Sequence, residues 1–111
     1  MNEEALRRIA EFCRIEIGEY TSHPDEFNTT FHISDVAYGT DWNWLMAAVE
    51  AIERLPEDGL HPVVEIGCST CVISTMNGEL HCEVEANDKR AAVFEAVDNF
   101  IQQYNSWKET N

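Results

Sequence analysis

Basic residues are scarce: 7 Lys and Arg stand against 21 Asp and Glu in 111 residues, a formal net charge of −14. So one-sided a balance repels phosphate backbones and anionic lipid headgroups, which argues against generic nucleic-acid or membrane-surface binding. Long apolar runs are missing too, and no stretch approaches the ~18 residues that a membrane-spanning helix needs. The opening Met1-Asn2-Glu3-Glu4 lacks the basic start and apolar run of a secretory leader, which predicts a cytoplasmic protein. In that reducing compartment Cys13, Cys68, Cys71 and Cys82 are expected as free thiols. The five glycines (Gly18, Gly39, Gly59, Gly67, Gly78) are scattered, so no phosphate-cradling loop exists. No internal repeat or low-complexity tract occurs. What is there is a chain 44% hydrophobic and 10% aromatic, of the length of one domain, 1–111, and able to bury one core.

The first segment reads as an amphipathic helix. Leu6, Ile9, Ala10, Cys13 and Ile17 fall on one stripe at helical spacing. Asn2 suits the N-cap, and Glu3 and Glu4 suit the positive end of the dipole and pair at i, i+4 with Arg7 and Arg8. Gly18 is the expected stop. From Tyr20 to Gly39 periodicity fades, although Phe27, Thr29, Phe31 and Ile33 alternate with polar neighbours as in a short strand. Thr40-Asp41 then caps a second helix with Trp42, Leu45, Val49 and Ile52 on one face. Trp44, Ala47, Ala48, Ala51 and Leu55 widen its apolar arc, which points to more than one packing neighbour, the first helix in addition to the sheet.

The next stretch is a β region organised by Asn77-Gly78, a dipeptide suited to the positive φ angles of a two-residue type I′ turn. That turn sets Thr75 against Leu80, Ile73 against Cys82 and Cys71 against Val84. A tight turn at Cys68-Ser69 sets Ile66 against Cys71 and Val64 against Ile73. The two registers agree. One face of the resulting meander carries Val64, Ile66, Cys71, Ile73, Thr75, Leu80, Cys82 and Val84. The other carries Glu65, Ser74, Glu79, His81, Glu83 and Glu85, relieved by Val63, Val72 and Met76. Asp88 caps a last helix whose core face is Val93, Val97, Phe100, Ile101 and Tyr104. The expected fold is α+β: a three- or four-stranded antiparallel meander packed with three helices in the order α-(β)-α-β-β-β-α.

Three blocks carry a resemblance: Ile9-Ala10-Glu11-Phe12, then Thr40-Asp41-Trp42-Asn43-Trp44-Leu45-Met46 with Val49-Glu50 and Ile52-Glu53, and finally Ala92-Val93-Phe94-Glu95-Ala96-Val97 with Phe100-Ile101 and Tyr104-Asn105. The chain is similar in these to small uncharacterised proteins of phages, prophages and Bacteroidetes, some described as phage α/β/α-sandwich domains. The resemblance implies a small layered fold in a phage-type or bacterial setting. It implies no activity, cofactor or catalytic residue.

Cys68-Ser69-Thr70-Cys71 is the only motif with chemical promise. A C-x-x-C can give two thiolates to zinc, with Cys82, His81 or His61 as further ligands. The meander opposes this, since it turns Cys71 and Cys82 to the core, His81 to the other face and Cys68 to a hairpin tip. Thioredoxin-like redox chemistry is weaker still, because it needs the motif at a helix N-terminus. No cofactor and no catalytic residue is therefore expected. Trp42 and Trp44 read as core, whereas Trp107 follows the last periodic residue and is expected to be exposed. Trp107, Val63, Val72 and Met76 form the candidate partner surface, for another protein or a second copy of the chain. Between Thr21 and Leu60 eight acidic residues face only Arg54. Two alternatives thus stand beside a plain protein-binding role: a zinc- or thiol-dependent module centred on Cys68, Cys71 and Cys82, and, from this acidic excess, a DNA-mimicking inhibitor of a nucleic-acid-binding host protein.

Overall fold

In the computed structural model, which describes residues 3–14, 38–56 and 60–110, three helices and three strands follow one another as α1 (Glu3–Phe12), α2 (Trp42–Glu53), β1 (Pro62–Ile66), β2 (Thr70–Thr75), β3 (His81–Glu85) and α3 (Lys89–Thr110). The expected strand at Phe27–Ile33, the Asn2 cap and the Gly18 stop lie outside the described residues. The strands form an antiparallel sheet in the order β1-β2-β3. Their register is the one that alternation specifies: Val64 faces Ile73, Ile66 faces Cys71, Ile73 faces Cys82 and Cys71 faces Val84. The fold is α+β.

Local chemistry places the helices. Asp41 accepts the Asn43 amide at 2.7 Å and Asp88 accepts the Ala91 amide at 2.8 Å, so both cap orphan donors at helix N-termini. Arg7 reaches Glu3 at 3.1 Å as the i, i+4 spacing predicts. Arg8 does not pair with Glu4; it bonds Asp98 and ties α1 to α3. A partner on another helix outcompetes the local one here, because the shielded pair loses less to solvent screening. Arg14 adopts a left-handed φ of 62° just beyond the last residue of α1, Phe12.

Helix α3 lies on β2 and β3, α2 bridges α3 and β1, and α1 packs on α3, away from the sheet. One cluster joins Leu6 and Ile9 of α1, Leu45, Val49 and Ile52 of α2, Cys71, Ile73, Cys82 and Val84 of the sheet, and Val93, Val97, Phe100 and Ile101 of α3. The second neighbour behind the broad apolar arc of α2 is α3, in place of the expected α1. The arc is nonetheless narrower than expected: Trp42 stays 38% exposed, and Ala47 is exposed. Ile66 has the right parity for the core yet is 37% exposed. It sits at the end of an edge strand that α3 does not cover.

The β2–β3 hairpin corrects the expected turn. Gly78 has φ +77°, but Asn77 does not share a positive φ. The Gly78 amide donates to the Thr75 carbonyl at 3.0 Å, so a turn begins at Thr75 and four residues, Met76–Glu79, make the loop. Thr75 still faces Leu80 and donates its amide to the Leu80 carbonyl at 3.0 Å. The return bond is different: the Leu80 amide donates to Thr75 Oγ1 at 3.1 Å. The Asn77 carboxamide drives the change, accepting the Glu79 amide at 3.0 Å and the Thr75 hydroxyl at 2.7 Å. Asparagine acts through its side chain, not through a left-handed backbone.

Candidate functional site

The three described helices stack on one side of the sheet, and among the described residues no element covers the other side. Strand alternation fills that outer face in three rows. Val63, Ser74 and His81 align across the strands, then Glu65, Val72 and Glu83, then Thr70 and Glu85. Val63 is 40% exposed, Val72 is half-buried between its strand neighbours, and Met76, just beyond β2, is 72% exposed. Glu65, Glu83 and Glu85 are exposed around them. Glu65 and Glu83 flank Val72 at two strand spacings, about 9–10 Å apart along the hydrogen-bonding direction. The result is a small apolar strip held between carboxylates.

Trp107, the fourth residue expected on a partner surface, is half-buried. Its indole stacks on Tyr104 at 6.1 Å between centroids and donates Nε1–H to Glu79 Oε2 at 2.6 Å. The reason is that α3 continues to Thr110, which puts Trp107 one turn beyond Tyr104 on the same face. Together with the His81 amide bond to Gln103 Oε1 at 3.3 Å, it fastens the β2–β3 hairpin to α3. It serves the fold more than a surface.

The thiols do not gather. Cys71 and Cys82 are buried on the core face, Cys68 is exposed beside the β1–β2 turn, and Cys13 is half-buried at the end of α1. Cys82 Sγ donates to the Ala96 carbonyl at 3.4 Å. Desolvation pushes the Cys71 thiol up to about 11, the neighbouring Cys82 adding to the effect, and burial likewise raises Cys82. Such thiols are hydrophobes at neutral pH, not nucleophiles or ready ligands. His81 is exposed on the outer face, and His61, also exposed, holds a left-handed φ of 41° before Pro62. Among the described residues no group of three or more His, Cys, Asp or Glu side chains could hold a metal ion. No described helix is long and apolar enough to cross a membrane.

Sequence reasoning missed a second feature. A cleft of about 450 Å³ opens where the C-terminal ends of α1, α2 and α3 converge. Arg8, Arg14, Arg54 and Lys108 line it, four of the seven basic residues of the chain. They stand 40 and more positions apart, apart from the Arg8–Arg14 pair, so no local pattern announces them. Behind the cleft Tyr38 is buried with its hydroxyl toward Cys13, and burial raises both groups, with their mutual contact raising Tyr38 and moderating Cys13. Comparison with protein-family models, with curated proteins and with solved structures finds no match to this chain.

Proposed function

We propose that this chain is a non-catalytic binding protein of a phage-type or bacterial cytoplasm, and that it engages a partner protein through the outer face of its sheet. The observation that supports this is the strip of Val63, Val72 and Met76 among Glu65, Glu83 and Glu85, which no described element covers. Apolar side chains on a sheet face gain free energy when covered, about 25 cal/mol per Å². The surrounding carboxylates select what covers them. Two copies of the chain face to face would oppose six carboxylates from these positions alone. Each such pair at ~10 Å costs only about 0.4 kcal/mol in water, but the cost grows as the interface excludes solvent. A partner carrying Lys and Arg around an apolar patch meets the face without that penalty and associates faster at low salt. The acidic composition makes the same partner class natural for a DNA-mimicking role, in which the basic surface belongs to a nucleic-acid-binding protein.

The test is affinity capture with the wild-type chain and with the triple variant V63S/V72T/M76S, whose positions lie outside the core cluster. The reading expects a protein retained by the wild type at low salt, released at high salt, and not retained by a variant with an unaltered thermal melt. Identical retention by both chains refutes it. Light scattering supplies the second arm, where a concentration-dependent dimer abolished by the same substitutions would make the partner a second copy.

A further inference from the structure

We propose that Asn77 is a self-modifying site, at which the hairpin promotes loss of the side-chain amide and leaves aspartate or isoaspartate. The step needs a nucleophile, a carbonyl able to take up charge, and access for water and base. Asn77 and Gly78 are both exposed. Gly78 has no side chain to shield its nitrogen, and even a Cβ built there would meet nothing within 4 Å. Asn77 Oδ1 accepts the Glu79 amide at 3.0 Å, a bond that folds the carboxamide back along its own backbone, as ring closure onto Gly78 requires. The Thr75 hydroxyl donates to the same oxygen at 2.7 Å, the shorter of two contacts open to its proton, with the Leu80 carbonyl at 3.4 Å. Two fixed donors on one carbonyl oxygen are the arrangement that stabilises a tetrahedral oxyanion. Both are held in place. The Thr75 oxygen accepts the Leu80 amide at 3.1 Å, which aims and polarises its proton, and the Glu79 carboxylate is tied to the Trp107 indole at 2.6 Å.

The Gly78 nitrogen gives its proton to solvent base, and its lone pair forms a bond to Asn77 Cγ. The oxyanion so formed is held by the Glu79 and Thr75 donors. It collapses by breaking the bond from Cγ to the side-chain nitrogen, which takes a proton from water and leaves as ammonia. Water then opens the five-membered imide at either carbonyl, giving aspartate or isoaspartate. One water is consumed and one ammonia released, with no oxidation or reduction. One interaction opposes the step: the Gly78 amide donates to the Thr75 carbonyl at 3.0 Å and must leave that bond first. Giving up a turn bond of this kind slows the step by about tenfold at most. A single oxyanion donor in an enclosed enzyme site supplies about 10²–10³, so two donors in an open loop still outweigh that loss. Either product adds a negative charge beside Met76, and isoaspartate also lengthens the loop, since the main chain then runs through the former side chain.

Ageing of the purified chain at mildly alkaline pH, followed by peptide mapping with mass spectrometry, tests the proposal. Conversion at Asn77 is expected to run at least about tenfold faster in the native chain than in the same chain unfolded in guanidinium chloride. T75V, which removes one donor, should slow the native reaction by about tenfold, whereas T75S should keep the wild-type rate. Unfolded, all three chains should react alike. N77D should show no mass gain at this position, which fixes the assignment. The comparison of native with unfolded wild type uses no variant, so it decides the matter even if T75V alters the hairpin. A native rate at or below the unfolded rate overturns the proposal, as do equal native rates for T75V and T75S.

Discussion

Replacing Thr75 by valine makes the core more hydrophobic and should nonetheless destabilise the protein. Thr75 is only 6% exposed, and its hydroxyl is the acceptor for the buried Leu80 amide at 3.1 Å. Valine keeps the shape but removes that acceptor, leaving a buried N–H without a partner at a cost of about 1–3 kcal/mol. Exchanging the hydroxyl for a methyl returns about 0.8 kcal/mol. Asn77 Oδ1 loses one donor but keeps the Glu79 amide at 3.0 Å and is open to water, so its loss is minor. The net effect is roughly 0.2–2.2 kcal/mol of destabilisation. At about 4 °C per kcal/mol for a domain of this size, the melting temperature falls by ~1–9 °C. Circular dichroism at 222 nm during heating, with T75S as the control that keeps the hydroxyl, reads the difference. In a two-residue type I′ turn the Thr75 hydroxyl has no bonding duty, and valine would be neutral or stabilising. A T75V melt at or above the wild-type temperature refutes the hairpin geometry described above.

Other substitutions and conditions probe the remaining contacts. D88A removes the cap of α3 and should cost about 1 kcal/mol, visible as a lower urea midpoint with an unchanged slope. D98A leaves the Arg8 guanidinium, 28% exposed, without its partner and should loosen α1 from α3, increasing amide hydrogen exchange in residues 5–12 before the sheet is affected. Alkaline pH should destabilise the fold. Below pH ~9 both folded and unfolded chains keep the Cys71 proton. Between the usual thiol value of 9.0 and about 11 the unfolded chain alone releases it, so stability falls as pH rises through that window. Cys13 and Cys82, also raised, act in the same direction. Urea midpoints at pH 8 and pH 10.5 measure the loss, and C71V should reduce it; an unchanged midpoint in the wild type would contradict burial of these thiols.

Alternation and capping made most of this fold legible. Two apolar faces of β2 and β3 with period two leave a single register, and a one-residue slip would turn Ile73 and Cys82 out to water. The capping residues Asp41 and Asp88 announce α2 and α3 because a short carboxylate before an apolar periodic run has few other uses. What failed to show was decided by tertiary competition. Arg8 had a satisfactory partner one turn away, and only the approach of α3 makes Asp98 the better one. Asn77-Gly78 signals a hairpin, but the choice between two turns rests on whether the Thr75 hydroxyl is available to replace a backbone bond. Trp107 looked exposed because the apolar stripe thins out after Tyr104, whereas the indole is held by Glu79 across 28 positions of sequence. At the candidate sites, strand parity placed Val63, Val72 and Met76 together. The cleft had no such signature, since it joins the ends of three helices.

Zero-length carbodiimide cross-linking of the tagged chain in host lysate, read by mass spectrometry, addresses the binding face most directly, since it joins carboxylates to lysines in contact. Intermolecular links from lysines of another protein to Glu65, Glu83 and Glu85 are expected. Links confined to the helical carboxylates, such as Glu3, Glu50 and Glu53, would contradict binding through that face.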